Sequence, residues 1–312
     1  MKLTHAFSPF IRNHSNTSRI MIDVVIALLP ALCVGLWRFG ASAALVVLVS
    51  IAAAVAAEFL FGLLFGRPKS VLDGSAVVTG LLLAMTLPST VPLWVAAIGS
   101  AFAVVVVKGL CGGLGQNIFN PALSARALLM LAWPAYLTRF FGVDGVSSAT
   151  PLHHMVMPAL PEESLAAMLL GNCPGCIGEI SALALLLGGA YLVWRKVISM
   201  RIPLAYLGTV ALLTLVFHKT DAPLMWMLYS LLSGGVMLGA IFMATDYATS
   251  PVTPNGQLLY GVGCGALTVL LRYFGLYPEG VTYAILIMNA LVWAIDRCTA
   301  PRRFGTKKGG RA

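Results

Sequence analysis

Two short polar stretches hold the residues of this chain best suited to chemistry. The first is DGVSSATPL, Asp144 to Leu152, where the Thr150 hydroxyl follows a run of small residues. A hydroxyl in such company is accessible and leaves room for a bulky group. Asp-Gly and Ser-Ser are also ordinary turn punctuation, so composition alone favours a plain turn. The second stretch is Gln116-Asn117-Ile118-Phe119-Asn120-Pro121, which follows a GGLG run. An Asn side chain offers both a donor and an acceptor. Two Asn three residues apart share a helix face if the turn has begun. Asn120 followed by Pro121 is also the pattern of a helix N-cap with Pro at the first helical position. Capping and ligand binding are compatible.

Ionisable residues inside apolar sequence form a third group: Glu58, Asp73, Lys108, Arg126, Asp246 and Asp296. Charge in such a setting is costly and is usually functional or paired. Asp246 interrupts an apolar run within MATDYATSP, amid hydroxyls and carbonyls. Hard oxygen ligands of that kind suit Na⁺, and a carboxylate alone suits a proton. Asp246, Glu58, Asp73 and Asp296 are therefore candidate ion-pathway residues. Asp296, beside Arg297, reads more readily as half of an interfacial ion pair, and Arg126 is expected to meet carbonyls or a bound ring. Cys173 and Cys176 form a lone CPGC, which fits a disulfide, a dithiol or half a metal site. With no second pair in the chain, no metal site is expected. His153 and His154 read as loop histidines without a role.

These residues must be positioned by membrane helices. The 312 residues are 59% hydrophobic and only 10% charged, where a soluble domain carries about a quarter charged. Apolar runs lie near residues 21–37, 41–65, 72–88, 91–111, 118–137, 179–195, 203–218, 224–245, 257–275 and 280–296. The fold expected is all-α and polytopic, with about ten transmembrane helices. The third run, limited by Asp73 and Pro88, is the shortest and suggests a tilted or broken helix. The polar, basic N-terminal segment is not expected to be a cleavable signal. A net charge of +9 could suggest nucleic acid, but the basic residues flank apolar runs, as positive-inside loops do. Their distribution places both termini in the cytoplasm and residues 138–178 outside.

The two halves echo each other. ALLPALCVGLW is matched by LALLLGGAYLVW, TGLLLAMTLP by LGAIFMATDY, and IFNPAL, with Asn120, by LIMNAL, with Asn289. Five runs per half is an odd number, which makes a five-plus-five inverted repeat. Functional sites in such proteins lie where the halves meet. The division expected is a cytoplasmic segment 1–20, a first repeat 21–137, an extracytoplasmic loop 138–178, a second repeat 179–296 and a basic tail 297–312.

Long stretches carry a family resemblance: SPFIRNHSNTSRIMIDVVIALLPA, DGSAVVTGLLLAMTLP, KGLCGGLGQNIFNPALSARALLMLAWP, DGVSSATPL and GCIGEISALALLLGGAYL. The chain resembles the D subunits of the Rnf complex, the ion-translocating ferredoxin:NAD oxidoreductase. More distantly it resembles the B subunits of the sodium-pumping NADH:quinone reductase. That relative stays the alternative, although its longer N-terminal extension is missing here. In the family, the last Thr of a D-x-x-[ST]-x-A-T motif carries FMN through a phosphoester made by a flavin transferase. The resemblance carries that role to Thr150, with Asp144 and Ser147 at the earlier positions and Ser148 where many relatives have Gly. It also implies a non-covalent riboflavin site at Asn117 and Asn120.

The implied protein is one component of a translocase in the bacterial inner membrane, passing electrons across the bilayer coupled to Na⁺ or H⁺ movement and inactive alone. Its implied partners are the other Rnf components: the external flavoprotein (G-type), two membrane proteins (A-type and E-type), the NAD-side protein (C-type) and the iron–sulfur protein (B-type). A redox-inactive channel of the same inverted-repeat plan is the alternative from a different class.

Overall fold

The structure is a computed structural model that describes residues 16–66, 72–140, 150–156, 159–161, 163–275 and 279–301. Asp144, Ser147 and Ser148 lie outside the described residues, as do the side chains of His153 and His154. Among the described residues the chain is all-helical.

Helix α1, Thr17–Leu64, covers the first two apolar runs. Straight, its 48 residues would reach about 70 Å, more than twice the apolar thickness of a bilayer. It is kinked at Gly40, at φ 65 and ψ −144. A β-carbon there would meet nothing within 4 Å, so the backbone angle alone calls for glycine.

Helix α2, Ser75–Met85, fills the short third run. At about 16 Å it cannot cross a bilayer alone. Broken helices survive in membranes only where other groups satisfy their freed carbonyls. Here Ile177 N–H donates to Leu87 O at 3.1 Å and Gly178 N–H to Met85 O at 2.8 Å. The end of the expected outer loop is thus tucked against the end of α2, with Ile177 fully buried.

Helix α3, Leu93–Phe102, runs into a π-helical stretch, Ala103–Gly109. Helix α4, Pro121–Ala132, follows the GGLG loop and leads to a short α5, Pro134–Leu137. The short helices α6, Pro151–Val156, and α7, Leu165–Leu170, belong to the connecting segment.

The second set of helices begins with α8, Ala182–Trp194, and α9, Arg201–Val216. Next comes a broken helix. Helix α10, Pro223–Leu232, turns by 62° into α11, Val236–Leu238, which continues as a π-helical stretch, Gly239–Met243. Arg272 holds the break, donating to Ser230 O at 2.7 Å, Ser233 O at 2.8 Å and Gly234 O at 3.2 Å. Cationic donors suit helix C-termini, where carbonyls are left over. The chain ends in α12, Pro254–Phe274, and α13, Val281–Thr299.

Helices α1, α12 and α13 are long and apolar enough to cross a membrane, and the bent pair makes a fourth if counted as one span. The other apolar runs hold shorter apolar helices. Helix α12 packs on α9 through Gly261 and Gly265, where β-carbons would lie 2.9 Å from Ile202 O and 2.8 Å from Tyr206 O. Small residues four apart are how membrane helices approach this closely.

Candidate functional site

The roomiest of the pockets among the described residues encloses about 790 Å³, part of it open to solvent. Its walls come from α1, α2 and α4 on one side and from the Gly239–Met243 stretch and residues 245–248 on the other. Ile20, Val24, Leu82, Leu192 and Phe242 make it largely apolar. Its polar groups are few: Ser75, Thr79, Lys108, Asn117, Asn120, Thr245, Asp246 and Tyr247. Apolar walls with a few placed polar groups are the usual make-up of a small-molecule site.

The structure thus brings Asn117, Asn120 and Asp246 to one place. The two asparagines do not share a helix face, because α4 begins only at Pro121. The preceding loop delivers them, with Gly112, Gly113 and Gly115 at positive φ. Asn120 is the N-cap of α4: Oδ1 accepts from Ala122 N–H at 3.1 Å and Leu123 N–H at 3.3 Å. Its Nδ2 donates to Met243 O at 3.2 Å. Asn117 Nδ2 donates to Phe119 O at 3.1 Å. Asp246 accepts from Thr249 Oγ1 at 3.3 Å.

Glu58 and Asp73 sit behind one wall, in a cavity of about 390 Å³ that Lys108 also lines. Lys108 Nζ donates to Glu58 Oε1 at 2.6 Å and to Ser75 Oγ, and Ser75 Oγ donates to Asp73 Oδ1. The π-helical stretch before Gly109 turns Lys108 into this row. Such wide turns are rare and often mark functional positions.

Asp296 stands apart from both cavities. It accepts from Val252 N–H at 3.1 Å and Thr253 N–H at 3.4 Å, at the start of α12. The Arg297 guanidinium lies over the Trp293 ring instead of pairing with it. The interfacial ion pair read from sequence is therefore replaced by a backbone cap.

Thr150 is half-buried and lines a third cavity of about 340 Å³, with Cys173, Glu179, Gly234 and Glu279. Glu179, Gly234 and Glu279 also line a small neighbouring cavity that reaches Arg126, Leu123 and Met243. Arg126 donates to Thr86 O and to Glu279, and its Nη1 lies 3.5 Å from Glu179 Oε1. Arg126 thus answers to carbonyl and carboxylates together. Sequence reading did not single out Glu179 or Glu279, because one sits in a Gly-rich turn and the other in a Pro-Glu-Gly turn. Cys173 and Cys176 are both free and buried. Burial pushes the Cys173 thiol up to about 12 and the Cys176 thiol up as well, so both stay protonated at neutral pH.

Apolar helices, one pair of them bent at a break, close on shared cavities and define a membrane protein with its pockets between two helical sets. The chain belongs to the NQR2, RnfD, RnfE family, whose model matches residues 4–305. It is 46% identical to the D subunit of the Na⁺-translocating ferredoxin:NAD⁺ oxidoreductase complex of Acetobacterium woodii, over 99% of this chain and 97% of that one. It is 42% identical to the D subunit of the proton-translocating ferredoxin:NAD⁺ oxidoreductase complex of Clostridium ljungdahlii, over 98% and 97%. The D subunit of the ion-translocating oxidoreductase complex of Stutzerimonas stutzeri is 40% identical, over 95% and 94%.

Proposed function

We propose that this chain is the D-type membrane component of an ion-translocating ferredoxin:NAD oxidoreductase in the bacterial inner membrane. It would work beside the A-, B-, C-, E- and G-type components and carry electrons across the bilayer coupled to Na⁺ or H⁺. The observation that carries this reading is the 790 Å³ cavity, which joins Asn117, Asn120 and Asp246 from opposite ends of the sequence. Apolar walls suit a flat aromatic ring, and asparagine donors and acceptors suit its polar edge. Non-covalent riboflavin is the ring we assign to it.

Thr150 is the attachment point for covalent FMN in this reading, with Asp144, Ser147 and Ser148 recognised by the flavin transferase. Its half-buried position at a cavity leaves the side chain open to a bulky substituent. Bound flavins supply one-electron transfer, which no side chain in these cavities provides. The protein's own residues do the rest: Asn117 and the remaining Nδ2 hydrogen of Asn120, whose other amide positions cap α4 and bond Met243 O, orient the ring, and the apolar walls exclude water. Asp246, Glu58, Asp73 and Asp296 offer carboxylates to the ion.

Ten spans in a five-plus-five inverted arrangement, both termini cytoplasmic, complete the reading. Two features support it. The third run of each half is irregular, α2 being only 11 residues long and the α10–α11 pair bent by 62°. In each, a helical piece starts after a left-handed glycine, Gly74 before α2 and Gly235 before α11.

The test is the chain purified after co-expression with a flavin transferase. In-gel fluorescence lost in Thr150→Ala, and acid-extractable flavin lost in Asn117→Leu, are the results expected. A colourless wild-type preparation sinks the proposal.

A further inference from the structure

Lys108 is the one residue besides Leu114 that lines both the large cavity and the cavity of Glu58 and Asp73. Lys108 and Glu58 are each 4% exposed. Their ion pair, at 2.6 Å, uses only one carboxylate oxygen. Glu58 Oε2 is buried and has no hydrogen-bond partner. A buried carboxylate oxygen left in this state is costly, and a cation or proton would relieve it.

We infer that Lys108 holds one positive charge for which two sites compete, the ring in the large cavity and the Glu58 carboxylate. This inference rests on the flavin reading of that cavity. With the ring oxidised, Lys108 and Glu58 cancel and the pair is neutral. An electron delivered to a bound ring by a one-electron donor elsewhere in the complex would add one negative charge to a region that also holds Asp73 and Asp246. The ammonium, keeping its protons, is drawn toward the ring, and Glu58 is left as an uncompensated carboxylate. One monovalent cation or proton entering at Glu58 Oε2, with Asp73 behind Ser75, would offset the added charge. It leaves when the electron moves on. Lys108 is in these terms a positioning residue for charge, and it never accepts an electron itself.

The test uses the intact complex, with flavin content from acid extraction and the midpoint potential of the extractable flavin from spectroelectrochemical titration at low and high NaCl. Lys108→Met should lower the midpoint, and Lys108→Arg should hold it near the wild-type value. Glu58→Gln should raise it, since the ammonium is then free for the ring, and should erase its dependence on NaCl and pH. Shifts of opposite sign for Lys108→Met and Glu58→Gln are not expected from a merely structural pair. A midpoint unmoved in both, or moved the same way, overturns the inference while the flavin site stands. If Lys108→Met cannot hold the ring, Glu58→Gln decides alone, and a midpoint that does not rise overturns the inference. Wild-type complex without extractable flavin removes both readings at once.

Discussion

Asn120 and Asn289 hold each other across the protein. The backbone N–H of Asn120 donates to Asn289 Oδ1 at 3.1 Å, with the Asn289 amide oriented so that Nδ2 donates to Tyr260 Oη at 2.6 Å and Thr249 O at 3.2 Å. The same two residues are matched by the internal echo of IFNPAL and LIMNAL. One therefore begins α4 and the other lies in α13, and they meet beside the large cavity.

Replacing Asn289 by Ala strips partners from three buried polar groups. Each costs about 1–3 kcal/mol when left unsatisfied. Thermal unfolding in detergent should show a clear loss of stability, and extractable flavin should fall with it. Tyr260→Phe removes a single hydroxyl, and its effect should be about 1 kcal/mol. Equal losses for the two variants would contradict this arrangement.

Arg126 faces two carboxylates, Glu179 and Glu279. Removing one partner of a buried pair costs about 3–5 kcal/mol, whereas apolar replacement of both is often tolerated. Arg126→Met should therefore destabilise strongly, and Glu279→Leu added to it should recover part of the loss. A double-mutant cycle measured by thermal unfolding checks the coupling. Additive losses would show that the pair does not interact.

Gly40 and Gly208 form a paired control. A β-carbon meets nothing within 4 Å at either site, but only Gly40 has positive φ. Gly40→Ala should cost about 1–3 kcal/mol through backbone strain, while Gly208→Ala in α9 should be neutral or gain about 0.5–1 kcal/mol. Melting temperatures of the two variants give the comparison.

The thiols give a prediction about pH. Cys173, raised to about 12 by burial, lacks thiolate at pH 7–9, and the thiolate is the reactive form. Maleimide labelling followed by mass spectrometry should modify exposed Cys111 and Cys298 and spare Cys173 and Cys176 until the chain is unfolded. In the folded protein, Cys173 labelling should rise only as pH approaches its raised value. Fast labelling at pH 8 would contradict its burial.

Much of this was legible in the residues. Every apolar run holds helix, the shortness of the 72–88 run anticipated a short α2, and Asn120-Pro121 announced the start of α4. The rest was hidden for physical reasons. A π-helical stretch leaves no periodic signature in AVVVVKG, so the direction of Lys108 could not be read. Glu58 and Lys108 are 50 positions apart, and pairing over that distance depends on how α1 and the helix after α3 pack. Asp296 has Arg297 as its neighbour in sequence, but the free N–H groups at the start of α12 proved better placed partners. Glu279 looked like turn punctuation because its partner lies on α4.

Asn120 is committed three times over, to the first turn of α4, to Met243 O and to Asn289. That makes it a rivet between the two helical sets rather than a movable latch. Widening the chamber on this side would unwind the start of α4 and break two seams at once. Lys108, which lines the same chamber from a π-helical stretch, is tied instead to side chains, Glu58 and Ser75.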